Sequence, residues 1–453
     1  MAGIPSIGVP ELAGLGSYQQ AARVGFGVEE TVALLLRFQW IARRTMGLLV
    51  SRLPSTPEWE VKCGLALHQW QCAEQVEWFR QRIGEMRHPL PALDVAPEPT
   101  LDRFCDEVGR ATDTAEFLAG VYLVVFPGLL AGYRRFLDGA NLLVDHPTRR
   151  IIGFALPETE VACDWGARAL AAMNPGDGRR RWIDHLGQFL AAAGGVTGLD
   201  PRPTSPVPPG RPEVVADMTP RRDSRFEGQY NFEFPPHVVY SDPAASAAER
   251  NLALLCKRTL EMDVPEMMAS VMVERPDLPW DFHREYSRQL WDETRHAMMG
   301  SVAFEARGID WSKIPLNVGF ALRLNRHATP LERQTILFAI EQSLMPGETG
   351  KRYEYRVAGE AGDPLSEQFH DFDWADEVLH AQIGRRWLKL LGIGVEEATQ
   401  QAAAIHERTW AALDQYRGQA PQLDWWDDFV RRVLGHASAV PAARRANLKI
   451  LAE

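Results

Sequence analysis

The sequence predicts an all-α protein, for three reasons. Apolar residues recur at helical spacing in most segments, as at Val32, Leu35 and Leu36. Alternating apolar and polar stretches, which form β-strands, are almost absent. Two later segments of helical character contain the motif Asp-Glu-x-x-His, at Asp292–His296 and Asp376–His380. Because residues i and i+3 share a helix face, each motif presents one Glu and one His on the same side.

Proline and glycine separate the predicted helices. Pro54 and Pro57 end the first helix, and Pro127 with Gly128 is expected to interrupt a later one. In the first half, the predicted helices cover residues 29–53, 58–87, 101–126 (either continuous or broken near Asp113), a further run to 143, and 158–173. In the second half, they cover residues 244–273, 280–307, 331–344, 364–391, 395–416 and 425–434.

The chain of 453 residues is long enough for two or three domains. Residues 196–243 are rich in proline and show little helical periodicity, which predicts a linker. The predicted organisation is therefore a helical domain over 1–195, this linker, and a second helical domain over 244–453.

Composition restricts the partners and the compartment. The net charge of −11 argues against nucleic acid or an anionic membrane as the main partner. No signal peptide is expected at the first residues, and no run of 18 apolar residues predicts a membrane span. The five cysteines include no CxxC pair, which favours reduced thiols and a cytoplasmic location over disulfides, a zinc ribbon or a rubredoxin-type iron site.

We interpret the two halves as copies of one another. A shift of 221 residues places Trp59 on Trp280 and Trp70 on Trp291. The predicted association state is a monomer, in which duplication has internalised a dimer contact, or a homodimer.

The predicted metal-binding positions do not match between the halves. Only Glu160 has the same residue type as its counterpart, Glu377. The first half is therefore expected to keep its bundle without a metal site. The replacements are Trp40 or Ile41 for Glu261, Cys72 for Glu293, Gln75 for His296, Tyr122 for Glu341, and Cys163 for His380.

Each motif needs a carboxylate from the preceding helix, and hairpin geometry selects it. Glu293 lies 16 residues after the turn at Asp277, and Glu261 lies 16 residues before it. Glu266 lies only 11 residues before the turn, which displaces it by about 7 Å along the helix. Glu261 is therefore preferred. For the second motif, Glu341 is the one acid in its apolar stretch.

The predicted site contains four catalytic carboxylates and two imidazoles that bind two metal ions between four helices. Mixed oxygen and nitrogen ligands favour iron or manganese over zinc. Asp292 and Asp376 are predicted to accept the other ring N–H of a ligating His and so to fix its tautomer. The predicted ligands are Glu261, Glu293, His296, Glu341, Glu377 and His380.

A single Glu-x-x-His on a helix is usually a surface ion pair. Two such motifs, each preceded by Asp and by a helix that carries Glu, are much harder to explain in that way. A buried Glu is also costly without a metal or a partner. A helical scaffold that holds these groups as a polar network remains the non-catalytic alternative.

The second half resembles the ferritin-like dimetal-carboxylate superfamily in the spacing from Glu261 to Asp292-Glu293-x-Arg295-His296. This spacing is similar to the repeat of bacterial multicomponent monooxygenases and of ribonucleotide reductase small subunits. The resemblance covers residues 245–392 and is a motif match. It implies a ferritin-like four-helix bundle with an oxygen-activating diiron centre, and, with the duplication, a second and degenerate ferritin-like bundle.

Two positions depart from these relatives. Gly300 stands where reductase subunits carry a radical Tyr, which argues against a tyrosyl radical, and its small size is expected to leave room for substrate. Asp373 stands where arylamine N-oxygenases of the superfamily have an extra His. It is an extra ligand, a group behind the ligands, or a solvated acid at a helix start. His370 is expected to lie outside the site.

The polar stretch Gly347–Asp363 has two interpretations. It is a lid or substrate collar, with Lys351, Arg352 and Tyr353 facing an acidic or polar substrate, or it is an ordinary surface crossover.

The expected function is an oxygenase or oxidase that hydroxylates, desaturates or N-oxygenates a small organic substrate. Its cofactors are expected to be two iron ions, or one iron with one manganese, with O₂ as co-substrate and an unidentified electron donor. The alternatives are an iron-storage or peroxide-detoxifying ferritin-like protein and the non-catalytic scaffold.

Overall fold

The structure is a computed structural model that describes residues 8–86, 89–173 and 178–445. Within these ranges every regular element is a helix and no β-strand occurs. The predicted all-α class is therefore confirmed.

The described residues divide into two compact units. Unit 1 contains those up to Leu48 and those from Gln71 to Val215, and unit 2 contains Leu49–Trp70 and those from Ala216 onward. This grouping differs from the predicted boundaries, because residues 49–70 belong to the unit that contains the second half. The internal duplication stays a prediction.

Most helices that begin in the first half lie at predicted places, but α7 begins well before residue 158, and a break separates α4 from α5 before Asp113. Helices α1 and α8 were not predicted. A short 3₁₀ helix, Glu11–Gly14, precedes them, and a π turn, Val121–Val125, joins α5 to α6. The α-helices are α1 (Tyr18–Ala21), α2 (Val28–Arg52), α3 (Trp59–Glu85), α4 (Pro99–Gly109), α5 (Thr114–Gly120), α6 (Phe126–Gly139), α7 (His146–Ala172) and α8 (Gly178–Ala192).

The predicted interruption at Pro127 is wrong, because the helical run continues through it. Pro127 has no N–H to donate to the preceding turn. The π turn accommodates this change, and the N–H of Phe126 bonds to the carbonyl of Val121, five residues earlier. The chain therefore stays helical from Thr114 to Gly139.

This run is also apolar enough, by length and composition, to cross a membrane. It spans Thr114–Gly139, 26 residues, and 67% of its most apolar window is buried inside the protein. A buried core helix meets the same criterion, so the finding is weak evidence for a membrane span. The expected absence of a span stays a prediction.

The remaining helices build unit 2 together with residues 49–70. A 3₁₀ helix, Trp311–Lys313, lies between α12 and α13. The α-helices are α9 (Pro236–Val239), α10 (Ala247–Leu260), α11 (Asp263–Glu274), α12 (Trp280–Glu305), α13 (Gly319–His327), α14 (Pro330–Ser343), α15 (Lys351–Glu360), α16 (Pro364–Leu390), α17 (Val395–Ala411), α18 (Asp414–Arg417), α19 (Trp426–Leu434) and α20 (Ala442–Arg445).

Four of these helices contact one another in a closed ring: α11 packs on α12, α12 on α16, α16 on α14, and α14 on α11. Helix α10 precedes α11 across a short break and also packs on α12. Helix α15 covers α10 and α16, and α13 and α17 pack beside α11 and α14. The predicted ligands all lie on the ring or at the junction of α10 and α11.

One continuous helix was predicted over 244–273, but the structure shows a break at Glu261 and Met262. Pro265 explains this break. In a continuous helix the N–H of residue 265 would bond to the carbonyl of Glu261, but proline has no N–H and its ring clashes with that carbonyl. The helix therefore ends just before a predicted ligand and restarts at Asp263.

Candidate metal centre

All six predicted ligands come together in unit 2. They form two overlapping groups whose ligand atoms lie within 4.8 Å of one another. Glu293 belongs to both groups. The groups are Glu293, Glu341, Glu377 and His380, and Glu261, Glu293 and His296.

The first group surrounds the ring of His380. Its Nδ1 lies 3.1 Å from Glu293 Oε1 and 3.1 Å from Glu377 Oε2. The same nitrogen lies 3.9 Å from Glu341 Oε1. Helices α12, α14 and α16 thus place three carboxylates and one imidazole nitrogen around one point.

The second group surrounds the ring of His296. Its Nδ1 lies 3.6 Å from Glu293 Oε2 and 3.9 Å from Glu261 Oε2. The Oε1 of Glu377 is 3.8 Å away. Glu293 and Glu377 therefore each direct one oxygen toward His296 and the other toward His380, which is the arrangement that bridging carboxylates between two metals require.

The aspartates that precede the two ligand glutamates contact the outer nitrogens of the histidines. His380 Nε2 lies 3.5 Å from Asp292 Oδ2, and His296 Nε2 lies 3.2 Å from Asp376 Oδ2. The pairing is crossed, because each Asp supports the His of the other helix. It assigns Nδ1 of both rings to the centre and the ring proton to Nε2.

Two arginines fix these aspartates. Arg288 Nε lies 2.9 and 2.8 Å from the two oxygens of Asp292. Arg295 Nη2 donates to Asp376 Oδ2 at 2.8 Å and also contacts Asp292. The support behind both histidines is therefore one connected network.

The donor atoms fit a pair of divalent metals. The side chains of Glu293 and His296 are 3% and 0% exposed. Yet within the described part of the chain, Glu293 Oε1 and His296 Nδ1 make no hydrogen bond of acceptable geometry. Buried polar atoms are seldom left in that state, and these two atoms are the ones that face the centre.

Without metal, protons offset the crowding of negative charge. Burial, followed by Glu377 and Glu293, raises the pKa of Glu341 well above its usual range. Burial raises the pKa of Glu261 to about 7 against the opposing effect of Arg258. Burial lowers the pKa of His296, but the surrounding carboxylates outweigh it and raise that pKa to about 10. Divalent metals would displace these protons.

Two cations beside the His296 group are buried, which was not predicted for either of them. Lys351 Nζ lies 2.9 Å from Asp373 Oδ1 and 3.0 Å from Glu377 Oε1. Arg258 Nη1 lies 2.6 Å from Asp373 Oδ1 and 2.9 Å from Glu261 Oε2. Both side chains are 1% exposed.

These contacts correct two interpretations. Asp373 is fully buried, so it is not a solvated acid, and its Oδ1 also lies 3.3 Å from His296 Nδ1. The stretch Gly347–Asp363 is not an ordinary surface crossover, because it contains the helix α15, in which Lys351, Glu354, Val357 and Ala358 are buried. Lys351 contacts Asp373 and the predicted ligand Glu377, and so does not face a substrate as part of a lid or collar. The lone Lys in a polar stretch gave no signal of burial.

His370 lies behind Asp373 and joins a neighbouring polar cluster. Its Nδ1 is 3.7 Å from Glu354 Oε2, and Arg258 Nη2 lies 2.8 Å from that same oxygen. Glu354, His370 and Asp373 together also have ligand atoms within 4.8 Å. The two cations already occupy this cluster, so we do not assign it to a metal.

Gly300 does not leave room for substrate. A Cβ at this position would lie 2.7 Å from the backbone nitrogen of Thr259 and 3.0 Å from Cβ of Arg258. The glycine therefore allows α10 and α12 to approach closely. This contact places Arg258 and Glu261 beside the centre.

Glu266, which the hairpin geometry had rejected as a ligand, serves a separate ion-pair cluster. Its Oε1 lies 2.6 Å from Arg222 Nη1 and contacts Lys62 Nζ. Lys62 also donates to the carbonyls of Leu53 and Pro54, at 3.0 and 2.8 Å. This cluster holds residues 49–70 within unit 2.

A cavity of about 360 Å³ opens onto the centre. Four carboxylates of the predicted ligand set line it, while the remaining walls are mainly apolar and aromatic. A cavity of this size fits a small organic molecule. The carboxylates are Glu261, Glu293, Glu341 and Glu377, and the apolar wall includes Leu260, Val264, Leu337, Ile340, Leu344 and Leu413.

Comparison of the chain with protein-family models, with curated proteins and with solved structures finds no match. The function is therefore inferred from the residues of the site itself.

Proposed function

We propose that the protein is a dimetal oxidoreductase that uses O₂ to oxidise a small organic substrate. The proposed metals are two irons, or one iron with one manganese. The motif resemblance to the ferritin-like dimetal-carboxylate superfamily supports the proposal, and so do the two overlapping ligand groups.

The observation that carries the proposal is the cavity. Its walls include four of the ligand carboxylates and otherwise mostly apolar side chains. A site that only stores or detoxifies has no need of an apolar chamber beside its metals. A chamber with apolar walls at the reactive centre supports oxidation of an organic molecule.

The bound metals would supply the redox chemistry that reduces O₂, with electrons from an external donor. The protein's own side chains would hold and orient the metals. Glu293 and Glu377 would bridge, Glu261 and Glu341 would each complete one side, and the two histidines would ligate through Nδ1. The crossed aspartates keep each ring proton on Nε2, so that Nδ1 is free to bind metal.

The residues around the centre contribute in two further ways. The apolar walls exclude water from the reacting region, which strengthens the electrostatic interactions inside it. Lys351 holds a proton 3.0 Å from Glu377 Oε1. Its ammonium group thereby orients that carboxylate and balances its charge.

Metal analysis tests the proposal. Protein reconstituted with ferrous iron without oxygen, and then desalted, is expected to hold two irons per chain and to develop an iron absorption band when O₂ is admitted. Glu377→Ala is expected to lose most of this iron. Glu367→Ala, on the same helix α16 but away from the centre, is the matched control and should keep it. A wild-type protein that holds no iron, or that does not react with O₂, would refute the proposal.

A further inference from the structure

One cation in the cavity wall has no opposite charge. Arg323, on helix α13, is 2% exposed and lines the cavity that opens onto the metal centre. Across the described ranges, no carboxylate lies within ion-pair distance of its guanidinium group. The other charged groups that line the cavity outside the centre are paired: Lys257 with Glu354 at 2.6 Å, and Asp263 with Arg222 at 2.9 Å.

Neutral neighbours hold the guanidinium group in a fixed position. Its Nη1 donates to Thr409 Oγ1 at 2.5 Å, and its Nη2 lies 3.2 Å from His406 Nδ1. It also lies 5.4 Å from the ring centre of Phe320 and 5.5 Å from that of Trp410. These contacts restrict its motion without neutralising its charge.

Part of this group is left without a partner. Arg323 Nε is buried and makes no hydrogen bond in the described structure. Because a guanidinium group only donates, His406 must accept through Nδ1 and carry its own proton on Nε2. Burial lowers the pKa of Arg323 to about 10, with Asp263 opposing the shift, as expected for a charge that lacks a counter-ion.

We propose that Arg323 binds the carboxylate of the substrate, and that the substrate is a small monocarboxylic acid with an uncharged, apolar body. A planar guanidinium group that lacks an anionic partner matches a carboxylate in shape and charge. A single uncompensated positive charge suits a monoanion better than a phosphate group, which carries close to two negative charges at neutral pH.

The cavity walls orient such an acid. With its carboxylate at Arg323, its apolar body is expected to contact Leu337 and Ile340 of α14 and Leu344, which directly follows that helix. The same helix carries Glu341 of the metal centre. The acid group is therefore an anchor, and the apolar body is the part presented for oxidation.

Calorimetric titration of the full chain tests the anchor. The probes are octanoate and 4-phenylbutanoate, each compared with the amide and the amine of the same carbon skeleton. At least one acid is expected to bind about 10- to 100-fold more tightly than its amide, because charge-assisted hydrogen bonds are lost in the amide. Its amine should not bind measurably.

Arg323→Gln is expected to abolish the preference for the acid. Arg326→Gln, on the exposed side of the same helix, is the matched control and should retain it. The wild-type comparison of acid, amide and amine needs no variant, so it still decides if Arg323→Gln does not fold. Equal binding of acid and amide, or a preference that survives in Arg323→Gln, would overturn the inference.

The inference rests on the proposed function, since the metal centre is taken to act on the bound acid. Titrations of both metal-free and iron-loaded protein distinguish a failure of the anchor from a failure of the proposed function. A preference for the acid that depends on Arg323, in a chain that binds no iron, supports the anchor and refutes the oxidoreductase. Iron loading and reaction with O₂, without that preference, refutes the anchor alone.

Discussion

The interiors of the two units solve the burial of polar groups in different ways. In unit 2 the helices enclose carboxylates and imidazoles, some of whose atoms lack hydrogen-bond partners. In unit 1 the positions that the proposed duplication places opposite them hold neutral side chains, except for Glu160 opposite Glu377, which pairs with Arg134 at 2.5 Å. Tyr133 donates to Gln75 Oε1 at 3.0 Å, and Gln75 Nε2 donates to Thr159 Oγ1 at 3.4 Å. Tyr133, Gln75 and Thr159 of unit 1 thus satisfy one another's hydrogen-bonding groups.

Aromatic packing completes the interior of unit 1. The ring of Tyr122 lies 5.1 Å from that of Trp165, and a Cβ at Gly166 would lie 2.2 Å from Tyr122 Cβ. The absence of a side chain at Gly166 therefore makes the space for Tyr122. In the described part of unit 1, no cluster of acids, histidines and cysteines suited to a metal is found. Among the described residues, a cluster of buried acids and histidines, and not the helical bundle itself, distinguishes unit 2 from unit 1.

The largest expected effect comes from substitution of Glu293, the residue that both ligand groups share. Glu293→Ala is expected to remove iron from both positions, because one oxygen of Glu293 faces each histidine. Cys72→Ala, at the position assigned to the same place in unit 1, should leave the iron content unchanged. Iron per chain after reconstitution measures both. Full iron loading of Glu293→Ala would contradict the shared position.

The next effect separates a structural glutamate from a ligand glutamate within unit 2. Glu266→Ala leaves Lys62 and Arg222 buried with less opposite charge, and we expect it to cost about 3–5 kcal/mol in the free energy of unfolding. Glu261→Ala should lower the iron content and cost less stability. Urea unfolding and metal analysis of the two variants provide the measurement. Loss of iron in folded Glu266→Ala would place Glu266 in the centre after all.

A smaller effect concerns the inequality of the two metal positions. Lys351 and Arg258 lie beside the His296 group, and we expect their charge to weaken metal binding there relative to the His380 group. Lys351→Met is expected to tighten the weaker of two iron-binding steps by on the order of tenfold. Calorimetric titration with ferrous iron measures both steps. Two equal steps in the wild type would remove the basis for this asymmetry.

The sequence motifs were sufficient to assemble the centre but not its surroundings. Hairpin geometry separated Glu261 from Glu266, because antiparallel helices place groups at equal distances from their turn at equal height. The break at Glu261 was readable from Pro265, which cannot donate to that carbonyl. No sequence pattern indicated that Lys351 is buried, because a polar helix segment has the same composition whether it packs on buried acids or faces solvent.

Arg323 shows the same limit. It lies on α13, a helix of nine residues that the sequence analysis did not predict. A short helix offers too few turns for a periodic pattern to stand out. Its guanidinium group contacts Thr409 and His406 on α17, which lie far away in sequence. The absence of a counter-ion can therefore be recognised only from the structure.

The smallest expected effect concerns the pH dependence of stability, to which two buried histidines of unit 2 contribute in opposite directions. Burial, with Arg258 next, lowers the pKa of His370 to about 4, so the folded protein keeps this ring neutral where the unfolded chain protonates it near its usual value of 6.5. The unfolded state then binds more protons between these values, and stability falls as the pH drops from 6.5 toward 4. For His296 the shift is opposite, and its contribution to the metal-free protein is lost as the pH rises through about 10.

His370→Asn is therefore expected to reduce the loss of thermal stability between pH 7 and pH 4.5. His436→Asn, at an exposed position, is the control and should leave that loss unchanged. Thermal unfolding of the metal-free proteins at the two pH values measures the difference. If His370→Asn and the wild type lose stability equally on acidification, His370 is not held neutral, and the cations around Glu354 do not suppress its charge.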